Sequence, residues 1–355
     1  MAQATLPGIY AARAVPGNAS GNTEFETDII RLAHSEMPTQ VDVLALSGGG
    51  DYGAFGAGVL VGWTHAGTRP EFKIVTGIST GAILATFAFL GPEYDENVRQ
   101  AYTTIDAGNV YRGRTLSVLW SDALTDSTPL AELIARFVDD KTIAAVARAY
   151  RAGRRLYVGT TNLDTDRLVV WNMGAIADAN RPQLFRQVLL ASASIPGIFP
   201  PVLIDVEANG HHYDEMHVDG GVKAQMFLLS TMLDVDRLRS RLAPELGHAI
   251  QVNIYAIRNA KTDAEPKPVQ RRLTEISSRA LSSMLRTQGV NDLRRAYQRA
   301  HENGFAFNWM SIPAAYSSQA TSEFDRAEMQ RLFEIGYRLG SQGNAWQREP
   351  PESAR

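Results

Sequence analysis

Short apolar runs recur along the chain between longer segments of mixed polarity. Val41–Leu46 is a short apolar run of buried-strand type, and Gly53–Ala66 continues as a helix of small and apolar residues. Phe72–Thr76 reads as a second strand that passes through Gly77-Ile78-Ser79-Thr80-Gly81 into the apolar helix Ala82–Leu90. Strand, turn and helix twice in succession predict a parallel, doubly wound α/β sheet. Helices are expected near 94–104, 130–138 and 141–151. Strands are expected at Leu156–Thr161 and Leu168–Asn172 around a turn at Asn162–Asp166. Gln183–Ala191 reads as a helix ended by Pro196. Val202–Val206 and His212–Val218 flank the turn Ala208-Asn209-Gly210, and Ile250–Ile257 is a further strand. Arg271–Asn303 is helical, with a break or bend expected at Gly289. After a late strand at Phe305–Ile312, the segment Glu323–Leu339 spaces Met329, Leu332, Phe333, Ile335 and Leu339 as an amphipathic helix. Residues 1–38 read as an arm with a helix near Glu26–Ser35, residues 39–345 as one domain, and residues 346–355, with two prolines, as a loose tail.

Composition narrows the classes. With 45% hydrophobic and 21% charged residues the chain has an ordinary globular balance, and its 355 residues suffice for one large α/β domain. A net charge of −3 suggests neither nucleic acid nor an anionic membrane as a partner of the bulk surface. The local cluster Arg148, Arg151, Arg154 and Arg155 reads as the solvated end of a helix entering a strand. The absence of cysteine excludes disulfides, thiol nucleophiles and Cys-based zinc sites. No stretch approaches the roughly 20 apolar residues of a membrane span. The first residues show no basic segment followed by an apolar one, which suits a cytoplasmic protein or a processed exported one.

Residues 47–58, Ser-Gly-Gly-Gly-Asp-Tyr-Gly-Ala-Phe-Gly-Ala-Gly, hold six glycines in twelve positions directly after the first strand. Gly48, Gly50 and Gly53 match G-x-G-x-x-G. A dinucleotide site also needs a carboxylate at the end of the second strand, where this chain has Thr76-Gly77-Ile78-Ser79. A P-loop is absent too, so no nucleotide is expected. Gly56 and Gly58 suit a helix packed closely on the sheet.

The second strand–turn–helix explains the remaining glycines. Gly77-Ile78-Ser79-Thr80-Gly81 is G-x-S-x-G between a strand and a helix, the setting of a nucleophile elbow, in which small residues must flank the serine. A serine attacking an acyl carbon needs a base for its proton and N–H donors for the developing oxyanion. The run Gly48, Gly49, Gly50 supplies donors without side chains in the way, so it is expected to form an oxyanion hole for Ser79. In the chain order serine, acid, histidine, the base would be His248 or His301, neither in a distinctive setting; His211 and His212 sit at a hairpin turn. Asp219 ends a strand and is followed at once by Gly220 and Gly221, which let another segment approach its carboxylate. It is a candidate base, with His217 on the same strand face in support.

Ser47-Gly48-Gly49-Gly50, Gly77-Ile78-Ser79-Thr80-Gly81 and Asp219-Gly220-Gly221 together resemble the patatin-like phospholipases, including bacterial serine acyl hydrolases of that type. The segment Ala191-Ser192-Ala193-Ser194-Ile195-Pro196-Gly197-Ile198-Phe199-Pro200-Pro201 is similar to that family's A-S-x-A-x-P-x-x-F-P-P, with Ser194 in place of the second Ala. The four segments come in the family's order, within residues 41–223. The resemblance implies a three-layer α/β/α fold with a mainly parallel central sheet. It also implies a Ser79–Asp219 dyad with no histidine base, metal or cofactor. Gly49 and Gly50 would give the oxyanion amides, and Gly48 would shape the turn. Many members carry Arg or Lys where this chain has Tyr52, preceded by Asp51. The difference leaves the dyad intact and weakens the expectation of phospholipids over neutral esters. The implied partner is a lipid or ester substrate, free or at a membrane surface. Ile195, Ile198, Phe199, Met226 and Phe227 are candidate walls for an acyl groove. A non-catalytic lipid-binding protein on the same scaffold and a Ser-His-Asp hydrolase remain the alternatives.

Overall fold

The structure, a computed structural model, describes residues 4–9, 11–16, 23–36, 39–113, 125–229, 250–264, 266, 268–320, 322–343 and 345–349. In chain order the elements begin with β1 (Arg13–Ala14), α1 (Thr23–Glu36), β2 (Gln40–Leu46), α2 (Gly53–His65), β3 (Ile74–Ile78), α3 (Thr80–Leu90), α4 (Asp95–Thr103), α5 (Ala107–Val110), β4 (Arg112–Gly113) and β5 (Thr125–Asp126). There follow α6 (Thr128–Phe137), α7 (Asp140–Arg151), β6 (Arg155–Asn162), β7 (Arg167–Asn172), α8 (Met173–Asp178), α9 (Pro182–Ser192), β8 (Val202–Ala208) and β9 (His211–Asp219). The last are β10 (Gln251–Arg258), α10 (Leu273–Glu302), β11 (Ala306–Ser311) and α11 (Arg326–Ser341).

The central sheet runs β1-β7-β6-β3-β2-β10-β11, with β9 on β6 and β8 on β9. Strands β6, β3, β2, β10 and β11 are mutually parallel, and β7, β1, β9 and β8 join antiparallel. Alternation along β2 divides the core as a two-sided sheet requires. Leu44 and Leu46 pack with α2, α3, α9 and α11 on one face, whereas Val43 and Ala45 pack with Leu293, Ala296 and Ala300 of α10 on the other. Helix α1 covers the same side through Phe25, beside Tyr157 and Phe227. The result is a helix–sheet–helix sandwich. Among the described residues no helix is long and apolar enough to cross a membrane.

Several details differ from the sequence reading. Helix α10 runs unbroken through Gly289, which is glycine because a Cβ there would overlap the guanidinium of buried Arg258. Gly58 serves a helix–helix contact, not a helix–sheet one. A Cβ on Gly58 or Gly62 would enter the carbonyls of Phe333 or Tyr337, and one on Gly336 or Gly340 those of Phe55 or Val59. Thus α2 and α11 lie backbone to backbone. Gly56 instead leaves room for the side chain of Asn259.

Arg154 and Arg155 are not a solvated helix end. Arg155 forks onto Asp28 of α1 at 2.7 and 2.8 Å, with both side chains buried. Arg154 bonds the carbonyls of Phe72 and Phe89. The arm is tied down by this ion pair and by β1 on β7. At the other end, Gln347 exchanges two 2.9 Å backbone bonds with Trp309, and Trp346 packs on Trp63 and Tyr255.

The α2–α11 contact leaves no space for a methyl group. Gly58→Ala is expected to lower stability by at least about 2 kcal/mol in urea denaturation, because overpacking against backbone cannot be relieved by a rotamer change. An unchanged midpoint would show that the helices do not approach this closely.

Candidate active site

The site lies at the carboxyl ends of β2, β3 and β10, where open α/β sheets present their loops. Its geometry follows from the edge of β6. Strand β3 pairs with that edge from Ile74 opposite Arg155 to Ile78 opposite Gly159. It then turns away into α3, and β9 occupies the vacated edge with Asp219 opposite Thr160 and His217 opposite Asn162. Ile78 and Asp219, the last residues of β3 and β9, thus pair with successive residues of β6, Gly159 and Thr160. Gly220 must be glycine at this junction, since a Cβ would stand 2.5 Å from the Gly159 carbonyl.

Ser79 sits at φ 55°, ψ −128°, a left-handed conformation unusual for a residue with a side chain. Its neighbours allow the turn: a Cβ on Gly77 would overlap the Gly81 carbonyl, and one on Gly81 would stand 2.5 Å from the carbonyls of Leu46 and Ser47. Serine at a helix N-terminus ordinarily caps it. Here the Ser79 hydroxyl makes no capping bond and instead faces the Asp219 carboxylate. Ser79 and Asp219 are each 5% exposed.

Asp219 accepts from the Gly221 amide at 2.6 Å and so caps the short turn Gly220–Val222 while facing Ser79. Burial pushes its carboxyl up from 3.8 to about 6, against the pull of the Ser79 hydroxyl and the Gly221 amide. It is therefore ionised at neutral pH and more basic than an ordinary aspartate.

The three consecutive glycines divide their tasks. Gly48 does not offer an amide to the site, because its N–H donates to the Gln225 carbonyl at 3.0 Å, which corrects its expected place among the oxyanion donors. A Cβ on Gly49 would overlap the Asn259 carbonyl, and Gly50 has φ 58°. Among the described residues, the amides of Gly49 and Gly50 meet no acceptor, and the chain continues through a short turn into the N-terminus of α2.

Four residues that build this geometry had no assigned role in the sequence. The Ser192 hydroxyl accepts from the Ser79 amide at 2.9 Å and donates to the Gly159 carbonyl at 2.7 Å. The Ser194 carbonyl accepts from the Asp219 amide at 2.8 Å. The segment Ala191–Pro201 thus clamps both Ser79 and Asp219 from behind. Asn259 bonds Ser47 twice at 2.8 Å and accepts from the Gly56 amide. Gln225 links Gly48 to Gly221. Only Ser192 and Ser194 fell within a recognised segment; Asn259 and Gln225 are single polar residues with no surrounding pattern.

The described candidate histidines have other places. The Glu215 carboxylate can only accept, so His217 Nε2 carries the proton that faces it at 3.2 Å; with the ring neutral, Nδ1 accepts from the Thr160 hydroxyl at 2.8 Å, and Trp171 donates to Thr160 Oγ1 at 2.7 Å. Both ring nitrogens are occupied, and burial lowers the His217 pKa. His301 is exposed at the end of α10, stacked on Tyr297, and His248 lies outside the described residues. Among the described residues no cluster of His, Asp or Glu is placed to hold a metal ion.

An apolar slot opens beside Ser79, with about 660 Å³ of empty space that is partly open to solvent. Gly50 and Thr80 stand near its chemical end, and Ile83, Tyr102, Leu133 and Phe137 extend it between α3, α4 and α6. Ile195 and Phe199 line it as expected. Met226 and Phe227 do not, because the turn after Asp219 carries them to the opposite face of the sheet. Ile198 is not among its walls; its carbonyl instead holds Thr125. Beside the glycine loop, Tyr52 meets Tyr316 edge to face. The Asp51 carboxyl, which accepts from the Phe324 amide at 3.1 Å, is pushed up to about 6 by burial.

A sequence model described as "Patatin-like phospholipase" matches residues 44–232, more than half of the chain. The chain is 27% identical over 176 residues to the uncharacterized protein R571 of Acanthamoeba polyphaga mimivirus, covering 48% of this chain and 58% of that protein. It thus spans little more than half the length of that relative. Among solved structures, VipD from Legionella pneumophila aligns with a TM-score of 0.43 and 13% identity over 87% of this chain and 68% of that one. The type III effector protein ExoU aligns with a TM-score of 0.36 and 14% identity over 86% of this chain and 53% of that one.

The raised carboxyl has a consequence for stability. The folded state holds the Asp219 proton to about pH 6, whereas the unfolded chain releases it near 3.8. The contribution of Asp219 to stability is therefore greatest below the lower value and is lost as pH rises through the upper one. Asp219→Asn, which still accepts from Gly221, is expected to be more stable than the wild type by up to about 3 kcal/mol near pH 8, and by little near pH 4. Denaturant titrations at the two pH values check this; an equal effect at both would contradict it.

Proposed function

The chain belongs to the patatin-like phospholipase family, and on that premise we propose that it is a serine acyl hydrolase cleaving carboxylic esters of lipids with Ser79 as nucleophile and Asp219 as general base. The supporting observation is the meeting, at one edge of β6, of a strained, uncapped serine hydroxyl with a buried carboxylate. In this reading Asp219 takes the Ser79 proton as Oγ attacks the ester carbonyl carbon. The carbonyl oxygen becomes negative against the amides of Gly49 and Gly50, with the N-terminus of α2 adding positive potential. As the tetrahedral intermediate collapses, the C–O bond breaks and Asp219 returns the proton to the departing alcohol. Water, deprotonated by Asp219, then attacks the acyl-serine; as the bond to Ser79 Oγ breaks, Asp219 returns that proton to Oγ and the acid is released. The slot of Ile83, Tyr102, Leu133 and Phe137 takes the apolar acyl chain. Gly77, Gly81, Gly220 and Gly221 act by permitting the close approaches on which the two side chains depend.

Hydrolysis of p-nitrophenyl esters of graded acyl length, with phosphatidylcholine vesicles alongside, tests the reading. Ser79→Ala and Asp219→Asn are each expected to lower kcat/KM by roughly 10³-fold or more. The wild-type kcat/KM is expected to rise with pH through about 6 as Asp219 ionises. Full activity in Ser79→Ala would end the proposal. Activity retained in Asp219→Asn but lost in a histidine variant would identify a different base.

A further inference from the structure

Helix α10 has two unlike halves. From Gly289 onward it packs on the sheet through Val290, Leu293, Ala296 and Ala300. The turns before that bury no described residue. At about 100° per residue, Leu273, Ile276, Ala280 and Met284 share one stripe about 80° wide, with Leu281 about 60° farther round. All of them are exposed, Leu273 by 81% and Met284 by 68%. Farther along, the same stripe turns polar at Asn291, Arg295 and Gln298. The opposite side of the exposed turns is polar. Glu275, Ser278, Ser282 and Arg286 line a depression that Asp51 and Tyr52 of the glycine loop share. A surface helix ordinarily turns its apolar side inward; this one is inverted.

Charge adds a second observation. Arg271 and Arg272, both exposed, precede the first turn. A helix N-terminus carries positive partial charge, so cations there work against helix stability. Together with that end they form a positive site beside the apolar stripe, complementary to anionic headgroups above acyl chains. The depression behind the helix continues to Glu323, whose neighbour Phe324 lines the acyl slot.

We propose that the first turns of α10 are a docking face for an anionic lipid surface, with Leu273, Ile276 and Met284 entering the acyl layer, Arg271 and Arg272 meeting the phosphates, and the mouth of the slot held beside the lipid. The choice of lipid over a second copy of the chain rests on the lipid-hydrolase reading. Binding itself is measured without turnover, so the two ideas fail separately.

The test is co-sedimentation of the full chain, carrying Ser79→Ala so that lipid is not consumed, with phosphatidylcholine vesicles containing about 30% phosphatidylglycerol or none. Binding is expected to favour the anionic vesicles. It is expected to fall at least about tenfold in Leu273→Ser/Ile276→Ser/Met284→Ser and severalfold in Arg271→Gln/Arg272→Gln. In the catalytically intact background, the same changes should leave thermal stability and turnover of a short soluble ester unaltered. The proposal is overturned if the parent protein does not bind, or if neither variant weakens binding. It is also overturned if the triple change loses stability, which would make the face internal. Sedimentation velocity showing a dimer that the triple change dissolves would assign the face to self-association instead.

Discussion

The structure turns on the exchange of partners at the edge of β6. A parallel strand must end where its chain turns into a helix, and β3 does so at Ile78. The edge it abandons would expose unpaired backbone groups in the interior. Strand β9 covers them, and its last residue is Asp219. The backbone pairing that completes the sheet therefore also sets a carboxylate against the turn. Gly159 is the pivot: it pairs with Ile78, its carbonyl excludes a side chain at residue 220, and the same carbonyl receives the Ser192 hydroxyl.

Two costs accumulate at this place. A serine at positive φ costs on the order of 1–3 kcal/mol. A carboxylate 5% exposed pays for desolvation, visible in its rise to about 6. The surroundings hold both. Ser192 fixes the Ser79 amide, Ser194 fixes that of Asp219, and Asn259 fixes the glycine loop. Farther out, the chain Arg13–Glu215–His217–Thr160–Trp171 braces β9 on β6 and β7, with burial opposed by Arg13 and His217 so that Glu215 stays near 2. His217, the tempting base by residue type, belongs to this brace.

Strands and helices were legible because their apolar spacing matches a two-sided sheet, and Ser79 and Asp219 because glycines mark the turns that expose them. What escaped depends on contacts distant in sequence. Gly289 looked like a break because a helix interior glycine costs about 1 kcal/mol; its reason, Arg258, lies 31 positions earlier. Arg154 and Arg155 looked solvated because Asp28 and the carbonyls of Phe72 and Phe89 cannot be paired with them by pattern. Met226 and Phe227 looked like groove walls because they follow Asp219, yet a single turn sends them under the sheet. The slot drew its walls from α3, α4 and α6 instead. Gly48 matched a donor motif, but Gln225 had already taken its amide.

The most direct measurement is covalent labelling by a fluorophosphonate, with the modified peptide located by mass spectrometry. Such a reagent reports an activated serine and not merely an apolar cavity. The account predicts one adduct, on Ser79, forming faster near pH 8 than near pH 5 and greatly slowed in Asp219→Asn. No adduct on Ser79, or a rate indifferent to both pH and residue 219, would contradict it.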